Sequence, residues 1–316
     1  DDTKYGVPVL EEGQISLTPK RHAFSARAGG QGRDGVLSSY RATLGVRRYT
    51  HSELVGDEVG TKFTNNTVEG ELLLSHSPVG RLAGSIGGWF LNREFSAEGA
   101  EALSPPVDQR TAAAFLYEEL TWPHFSLQFG GRVDRTSFEP QGSLLARDFT
   151  EFSGSVGALI RPSAANDNFV IAASLARAAR NPALEELYFF GPHPGNLTFE
   201  IGNPDLKSER AIGFDLSLRG RSSRVRGELT FFRNDISDFV FRSPLTDEEF
   251  EEREAEFDER FGVDHEEGEE GHGGEFPFAE YSGADATLWG VEAHADVTLT
   301  TRLGAEFTYD LVRAER

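Results

Sequence analysis

The 316-residue chain contains no cysteine and no methionine. Without cysteine it can form neither a disulfide framework nor a thiolate metal site. No run of apolar residues approaches the roughly 18 that a membrane-spanning helix requires, and no apolar leader opens the chain. Because an initiator methionine is also missing, we expect the sequence to be an internal fragment of a longer protein.

Positive charge is scarce, since 31 Lys and Arg face 52 Asp and Glu and the formal net charge is −21. A chain this acidic repels phosphates, which excludes nucleic acid as a partner. The acidity is uneven, because the segment 243–280 holds sixteen acidic residues and two arginines. Its composition favours an acidic, disordered surface loop, and a short amphipathic helix within it is the alternative.

Apolar and polar residues alternate with a period of two through about twelve segments, which is typical of half-buried β-strands. The clearest case is 125–134, FSLQFGGRVD, where the apolar residues and one glycine share a face opposite Ser, Gln, Arg and Asp. The connections alternate between short turns and long polar loops. The long loops fall near 50–62, 94–110, 138–148, 178–210 and 241–280.

This arrangement predicts an all-β fold, an antiparallel transmembrane β-barrel with an apolar outside, a polar lumen and unequal loops at its two ends. The strand lengths are near the roughly 9–11 residues that cross a bilayer at a tilt. A soluble β-sandwich has the same period, but the asymmetry of the connections favours the barrel. We expect Trp89, Trp122, Trp289, Tyr40 and Tyr309 at the lipid-facing surface or its aromatic girdles.

The segment 177–209, RAARNPALEELYFFGPHPGNLTFEIGNPDLKSE, interrupts the strand pattern. Its four prolines exclude a continuous strand or helix. Residues 182–188 predict a short helix, with Asn181 as the N-cap and Pro182 at the first helical position. A connection of this length within a regular sheet is usually functional or disordered, so we expect the segment to carry function.

Several passages resemble the TonB-dependent outer-membrane receptors in their order along the chain. They are YGVP at 5–8, GTKF at 60–63, FSAEGAEALSPP at 95–106, the segment 177–209 and LWGVE at 288–292. Within that family, FSAEGAEALSPP and ELYFFGPH are most similar to the zinc-uptake receptors. The resemblance implies that residues 1–316 form about twelve strands of a barrel of about 22 strands. It places the protein in the outer membrane of a Gram-negative bacterium, and the plug domain and TonB box are absent from this chain.

The resemblance also implies energy-coupled uptake of a scarce nutrient, most similar to uptake of zinc or another metal. The expected partners are outer-membrane lipid, the TonB complex acting through the missing plug, and a metal ion or metal chelate. A ferric-siderophore or haem receptor of the same family is the alternative, and a passive porin is the alternative from a different class. We find no nucleophile–base set and no phosphate-binding loop, so we expect neither an enzyme nor a cofactor.

Two groups of side chains are candidate zinc ligands, because imidazole and carboxylate groups are common zinc donors. The resemblance implies His193 in Gly-Pro-His and Glu101 in the 95–106 passage, where Ala100 replaces a glutamate typical of the family. A solvated loop histidine is the alternative interpretation of His193. In the acidic segment, glycines keep the chain flexible, and side chains there can collect a divalent ion weakly: His265, Glu266, Glu267 and His272.

Overall fold

The computed structural model describes residues 5–6, 15–32, 35–55, 58–99, 104–163, 168–193, 198–261 and 277–316. These residues form fifteen strands and two helices. The strands are β1 (Tyr5–Gly6), β2 (Ile15–Gln31), β3 (Leu37–Val55), β4 (Glu58–His76), β5 (Leu82–Gly99), β6 (Val107–Thr121), β7 (Phe125–Pro140), β8 (Arg147–Ile160), β9 (Phe169–Arg180), β10 (Phe190–His193), β11 (Thr198–Ile201), β12 (Glu209–Arg221), β13 (Val225–Pro244), β14 (Phe278–Thr300) and β15 (Leu303–Glu315). The helices are α1 (Leu184–Tyr188) and α2 (Asp247–Phe261).

Twelve of these strands, β2 to β9 and β12 to β15, are long and form one antiparallel meander. Each pairs with the next in this series, and β9 pairs directly with β12 across the connection that contains α1, β10 and β11. The twelve strands correspond one to one with the twelve segments of period two. The prediction of an all-β, antiparallel fold is therefore confirmed.

All twelve long strands exceed the roughly 9–11 residues that a bilayer requires, from 12 residues in β9 to 23 in β14. β3 and β4 continue through most of the predicted loop 50–62, and β5 and β6 shorten the predicted loop 94–110 to the residues between Gly99 and Val107. These loop boundaries are too wide. A ladder satisfies backbone N–H and C=O groups in water as well as in lipid, so polar residues continue the strands.

The sheet has an inner face, against which α1 packs, and an outer face. On β8, the outer-face side chains Phe152, Val156 and Ile160 are 64%, 44% and 45% exposed although all three are apolar. On the inner face of the same strand lie the polar residues Glu151 and Ser153. An exposed apolar outer face opposite a polar inner face is the pattern of a transmembrane barrel and not of a sandwich.

Trp89 lies on the inner face, which corrects its predicted lipid-facing position. The guanidinium of Arg132 lies over the Trp89 ring at 5.8 Å and over the Phe115 ring at 5.6 Å. Trp89 is the cross-strand partner of Ala113, which in turn pairs with Asp134 on β7. Aromatic character alone does not assign a face, because a cation on the inner wall attracts an aromatic ring as well.

Helix α1 begins later than predicted, with Ala183 at the N-cap in place of Asn181 and with Pro182 before the helix. The N–H of Ala183 donates to the Glu186 carboxylate at 2.7 Å, which is the half of a capping box that needs no polar side chain at the N-cap. Asn181 instead donates to the hydroxyl of Thr136 at 3.1 Å. Among the described residues, neither helix is long and apolar enough to cross a membrane.

Helix α2 occupies the first part of the acidic segment, which corrects the prediction of a disordered loop for 247–261. The backbone N–H and the hydroxyl of Thr246 donate to the Glu249 carboxylate at 2.8 and 2.9 Å, and these bonds hold the pKa of Glu249 below its ordinary value. Phe250 and Phe257 are buried, and a spacing of seven places them on one face. Residues 262–276 lie outside the described part of the chain.

The meander predicts which connections share an end of the barrel. In the cysteine-free chain, single cysteines at Gln141 and Glu259 should react with a membrane-impermeant maleimide on intact cells, because long connections face outward in outer-membrane barrels. Cysteines at Val79 and Ser222, in short turns, should react only after permeabilisation. Labelling of both pairs on intact cells would contradict this topology.

Candidate metal and ligand site

The structure describes little of the predicted ligand set directly. Five of the predicted ligands lie outside the described residues: Glu101, His265, Glu266, Glu267 and His272. The backbone of His193 is described as the last residue of β10, opposite Thr198 of β11, and its side chain is not. What the structure provides is the support on which the Gly-Pro-His passage rests.

The β10–β11 hairpin attaches to the extended end of β14. Within the hairpin, Phe190 pairs with Ile201 and Gly191 pairs with Glu200. β11 then runs parallel to β14, with Phe199 opposite Phe278, and the N–H of Phe199 donates to the carbonyl of Pro277 at 3.0 Å. His193 is therefore carried by a short hairpin added to a main-sheet strand, and not by a free loop.

Glu200 of β11 is a buried carboxylate at the centre of this attachment, with 1% of its surface exposed. Arg242 of β13 donates to one carboxylate oxygen at 2.7 Å, and the hydroxyl of Tyr281 on β14 donates to the other at 2.8 Å. Burial, followed by the hydrogen bond and charge of Glu200, raises the pKa of Tyr281. The hairpin is thus joined to two strands of the main sheet through one carboxylate.

An aromatic group, which we call the α2 cluster, packs the hairpin against α2. Its members are Phe190, Phe199, Phe250, Phe257 and Phe278. Phe190 stacks on Phe257 with ring centroids 4.5 Å apart, and Phe250 stacks on Phe278 at 3.8 Å. Arg253 of α2 adds an ion pair to Glu280 of β14 at 2.8 Å. The cluster explains why so acidic a helix binds to the barrel, since its two phenylalanines are desolvated together.

A second group, the α1 cluster, fills the inner face of the sheet beside the hairpin. Leu184, Leu187 and Tyr188 are fully buried, and the Tyr188 ring meets Phe138 edge-on at 6.5 Å. Phe189 lies 6.4 Å from Phe95. Phe189 and Phe190 are adjacent, so the two residues before Gly191 point into different clusters. The Gly-Pro-His passage therefore begins directly after two residues whose side chains are packed in separate clusters, so its starting point is fixed.

The Gly-Asn-Pro part of the segment closes the end of α1. The N–H of Gly202 donates to the Phe189 carbonyl at 2.5 Å, and the N–H of Asn203 donates to the Glu186 carbonyl at 2.8 Å. A Cβ at Gly202 would lie 2.7 Å from the backbone nitrogen of Tyr188. Only glycine permits this close approach, and two carbonyls at the helix end are satisfied by it.

The charged residues at both ends of the segment hold it to the sheet. Arg180 donates to Glu209 at 2.5 Å and to Glu186 at 2.9 Å, which joins the last residue of β9 to β12 and to α1. Arg210 donates to the buried carboxylate of Glu151 at 2.7 Å. Through these contacts, residues 205–210 (DLKSER) return the chain to the sheet at one fixed register.

One cavity adjoins these elements, and another lies apart from them on the sheet. One, of about 240 Å³, lies between α2 and the Gly-Asn-Pro turn and is lined by Asn203, Asp205, Arg253, Glu256 and Glu280, among others. The other, of about 580 Å³, lies on β2 to β5 and is lined by charged side chains together with Trp89. Both offer carboxylate oxygens and guanidinium groups, so they suit ions and polar ligands better than apolar ones.

The sequence indicates the segment 177–209 but not the residues that support it. Glu200, Arg242 and Tyr281 form one unit although they are 42 and 81 residues apart. The only available signal was Glu200 itself, a charged residue between Phe199 and Ile201 in a short apolar strand. A buried carboxylate requires a partner, but sequence does not say which arginine lies across from it.

Comparison with solved structures gives the same architecture. The chain superposes on a copper transporter, OprC, with a TM-score of 0.73 and 16% identity, covering 99% of this chain and 52% of that one. It superposes on the Serratia marcescens hemophore receptor HasR, in a complex with its hemophore HasA and heme, with a TM-score of 0.73 and 13% identity, covering 99% and 50%. For the siderophore receptor PirA from Pseudomonas aeruginosa the TM-score is 0.68 and the identity 17%, covering 96% and 52%.

At these identities the superpositions establish the fold alone, and the chain spans about half the length of these structures. Membership is established by sequence, since the family described as "TonB dependent receptor-like, beta-barrel" matches residues 16–316. The chain therefore belongs to the TonB-dependent receptors, whose barrels lie in the outer membrane of Gram-negative bacteria and serve transport and not catalysis.

Proposed function

We propose that the full-length protein is an outer-membrane receptor for energy-coupled uptake of a metal, with zinc as its cargo, driven by the TonB complex through a plug domain. The observation that carries this proposal is the fixed support beneath Gly191-Pro192-His193. Two aromatic clusters and the buried Glu200 hold the passage at the base of the loops, where a cargo entering from outside would arrive.

A rigid base matters because metal affinity depends on how much conformational entropy the ligands lose on binding. A histidine in the last residue pair of a packed hairpin loses less conformational entropy than a histidine in a glycine-rich tip. We therefore expect His193 to bind zinc more tightly than His265 or His272. The resemblance to zinc-uptake receptors at FSAEGAEALSPP and ELYFFGPH supports the same assignment.

His193 and Glu101 supply two of the about four ligands that a tight zinc site requires, with donors at about 2.0–2.2 Å. We propose that the plug supplies the others. Metal capture would then be coupled to the position of the plug, because zinc would join loop residues to the domain that the TonB complex moves.

His193→Ala in the full-length receptor should weaken zinc binding by about 1–3 kcal/mol, as expected when one partner of a polar site is removed. Calorimetric titration with Zn²⁺ measures the change. His124→Ala is the matched control, because His124 is an exposed histidine in a short turn, and it should leave the affinity unchanged. Unchanged affinity in His193→Ala would move the assignment to His265 and His272, or away from zinc.

A ferric-siderophore or haem receptor is the second candidate, because the structurally similar PirA is a siderophore receptor and HasR is a hemophore receptor. The two functions differ in what the full-length protein binds. Titration with Zn²⁺, with a ferric siderophore and with haem, in parallel, should show saturable binding of zinc alone. Saturable binding of a chelate without binding of zinc would establish the alternative.

A further inference from the structure

Another group of possible metal ligands lies far from His193, near the short turn that joins β14 to β15. Register assigns it to the inner face. Gly157, on the same face of β8 as Glu151, pairs with Ser174, and the pairing continues through Asp215 and Phe232 to Gly290. Side chains four residues apart on a strand share a face, so His294 lies on this inner wall. The wall belongs to the lumen of the barrel, close to the end opposite α1 and α2.

His294, Asp296 and Glu306 converge there. The Nε2 atom of His294 lies 3.3 Å from Asp296 Oδ2, and its Nδ1 atom lies 3.9 Å from Glu306 Oε1. One ligand atom from each of the three residues falls within 4.8 Å of the other two. Asp296 and Glu306 are direct cross-strand partners. Like charges placed directly opposite repel each other, and a bound cation would remove this repulsion.

The hydrogen bond from His294 to Asp296 has a chemical consequence. It favours the tautomer that carries its proton on Nε2, which leaves the lone pair of Nδ1 on the side of Glu306. A carboxylate that orients a histidine in this way is the usual outer support of a histidine that binds a metal. The two atoms Nδ1 and Oε1 are 3.9 Å apart. Donors on one zinc ion are about 3.3 Å apart for bonds of about 2.0–2.1 Å, so small side-chain rotations suffice.

The surroundings keep these groups available. Glu228, the cross-strand partner of His294, is held by Arg219 at 2.7 Å and does not compete for the imidazole. Arg226 lies opposite Asp296 in the register but forms no ion pair with it within 4.0 Å. All three converging side chains are exposed to the lumen, so an ion can reach them without unfolding the sheet.

We propose that His294, Asp296 and Glu306 form a second metal site, on the lumen wall, for a divalent first-row transition metal such as Zn²⁺ or Co²⁺. His294 Nδ1 and the Glu306 carboxylate bind the ion, and Asp296 orients the imidazole. Two protein ligands leave the remaining positions to water, so the ion exchanges readily. Such a site suits an ion passing through the lumen and not one held for structure.

Co²⁺ is the probe for this site, because its visible absorption reports nitrogen and oxygen coordination. Titration of the full-length receptor in detergent should show one equivalent of bound Co²⁺ that is lost in His294→Ala and in Glu306→Gln. Asp296→Asn should still bind this Co²⁺ ion, but with an affinity about 10–100-fold lower, as expected when a supporting carboxylate is removed. Since all three residues are exposed, each variant should keep the heat-dependent unfolding of the parent protein.

Two comparisons separate this site from the zinc site of the loops. His193→Ala should retain the bound Co²⁺ equivalent that His294→Ala loses. Loss of metal binding at one site therefore leaves binding at the other site measurable. His124→Ala, which also removes an exposed histidine, should leave cobalt stoichiometry unchanged. An equal number of bound Co²⁺ ions in His294→Ala and in the parent receptor would overturn the proposal.

Discussion

Arg242→Met should destabilise the β10–β11 hairpin by about 3 kcal/mol or more, because it removes an arginine that forms an ion pair with the buried Glu200 carboxylate at 2.7 Å. Glu200 is 1% exposed and cannot turn to water, and Tyr281 offers it a neutral donor. Hydrogen exchange at the amide of Phe199, which is bonded to Pro277, measures the local opening free energy. His193 should become mobile in the same variant, so zinc affinity should fall with it.

The double variant Glu200→Gln, Arg242→Met is the control for this expectation. Replacing the carboxylate by a neutral amide removes the buried charge that Arg242 pairs with in the parent protein, and Tyr281 can still donate to the amide oxygen. The double variant should therefore recover most of the stability that Arg242→Met loses. Equal exchange at Phe199 in the single and double variants would show that Arg242 contributes by packing and not by charge.

The twelve long strands could be predicted from sequence because the period of two is a local signal. In β7, every second residue from Phe125 to Val133 is apolar or glycine, and the outer face of the barrel is where these side chains lie. The ends of strands could not be predicted in the same way. His51 and Glu53 pair with Phe63 and Thr61 in a polar stretch whose composition also fits a loop. Whether such a stretch forms a strand or a loop is decided by its pairing with the neighbouring strand.

Helix α2 shows a different reason for error. Its composition is that of a disordered segment, with nine acidic residues in 247–261. The signal that decides its structure is only two residues, Phe250 and Phe257, placed two turns apart. Phe250 packs against Phe199 and Phe278, and Phe257 packs against Phe190. These partners lie on other elements, so the composition of the segment alone does not reveal the burial of the two phenylalanines.

The segment 177–209 was predictable as an interruption of the strand pattern, but the contacts that hold it were not. The prolines and the Gly-Pro-His passage identify the segment, because they break the strand pattern. Its construction rests on contacts between distant residues, such as Arg93 with Glu185 at 2.9 Å across 92 positions. Sequence separation of this size carries no local signal, which is why the anchors of the loop base appear only in the structure.

Tyr188→Ala should loosen α1 and the Gly-Pro-His passage by about 3–5 kcal/mol, the usual cost of removing a buried aromatic ring. Tyr188 is fully buried, its ring packs against Phe138, and burial raises its pKa to about 12. Its hydroxyl donates to the carbonyl of Leu145 at 3.0 Å, which ties α1 to the connection between β7 and β8. The loss should be seen as faster hydrogen exchange at the amides of Leu187 and Phe189.

Tyr188→Phe separates the ring from the hydroxyl. It keeps the packing on Phe138 and removes one hydrogen bond, so it should cost only about 1 kcal/mol. Tyr40→Ala, on the exposed outer face, should leave exchange in α1 unchanged. Zinc affinity should follow the same order, with a large loss in Tyr188→Ala and a small one in Tyr188→Phe, because His193 is held by the backbone that this ring supports. Full zinc affinity in Tyr188→Ala would show that the α1 cluster does not position the metal ligand.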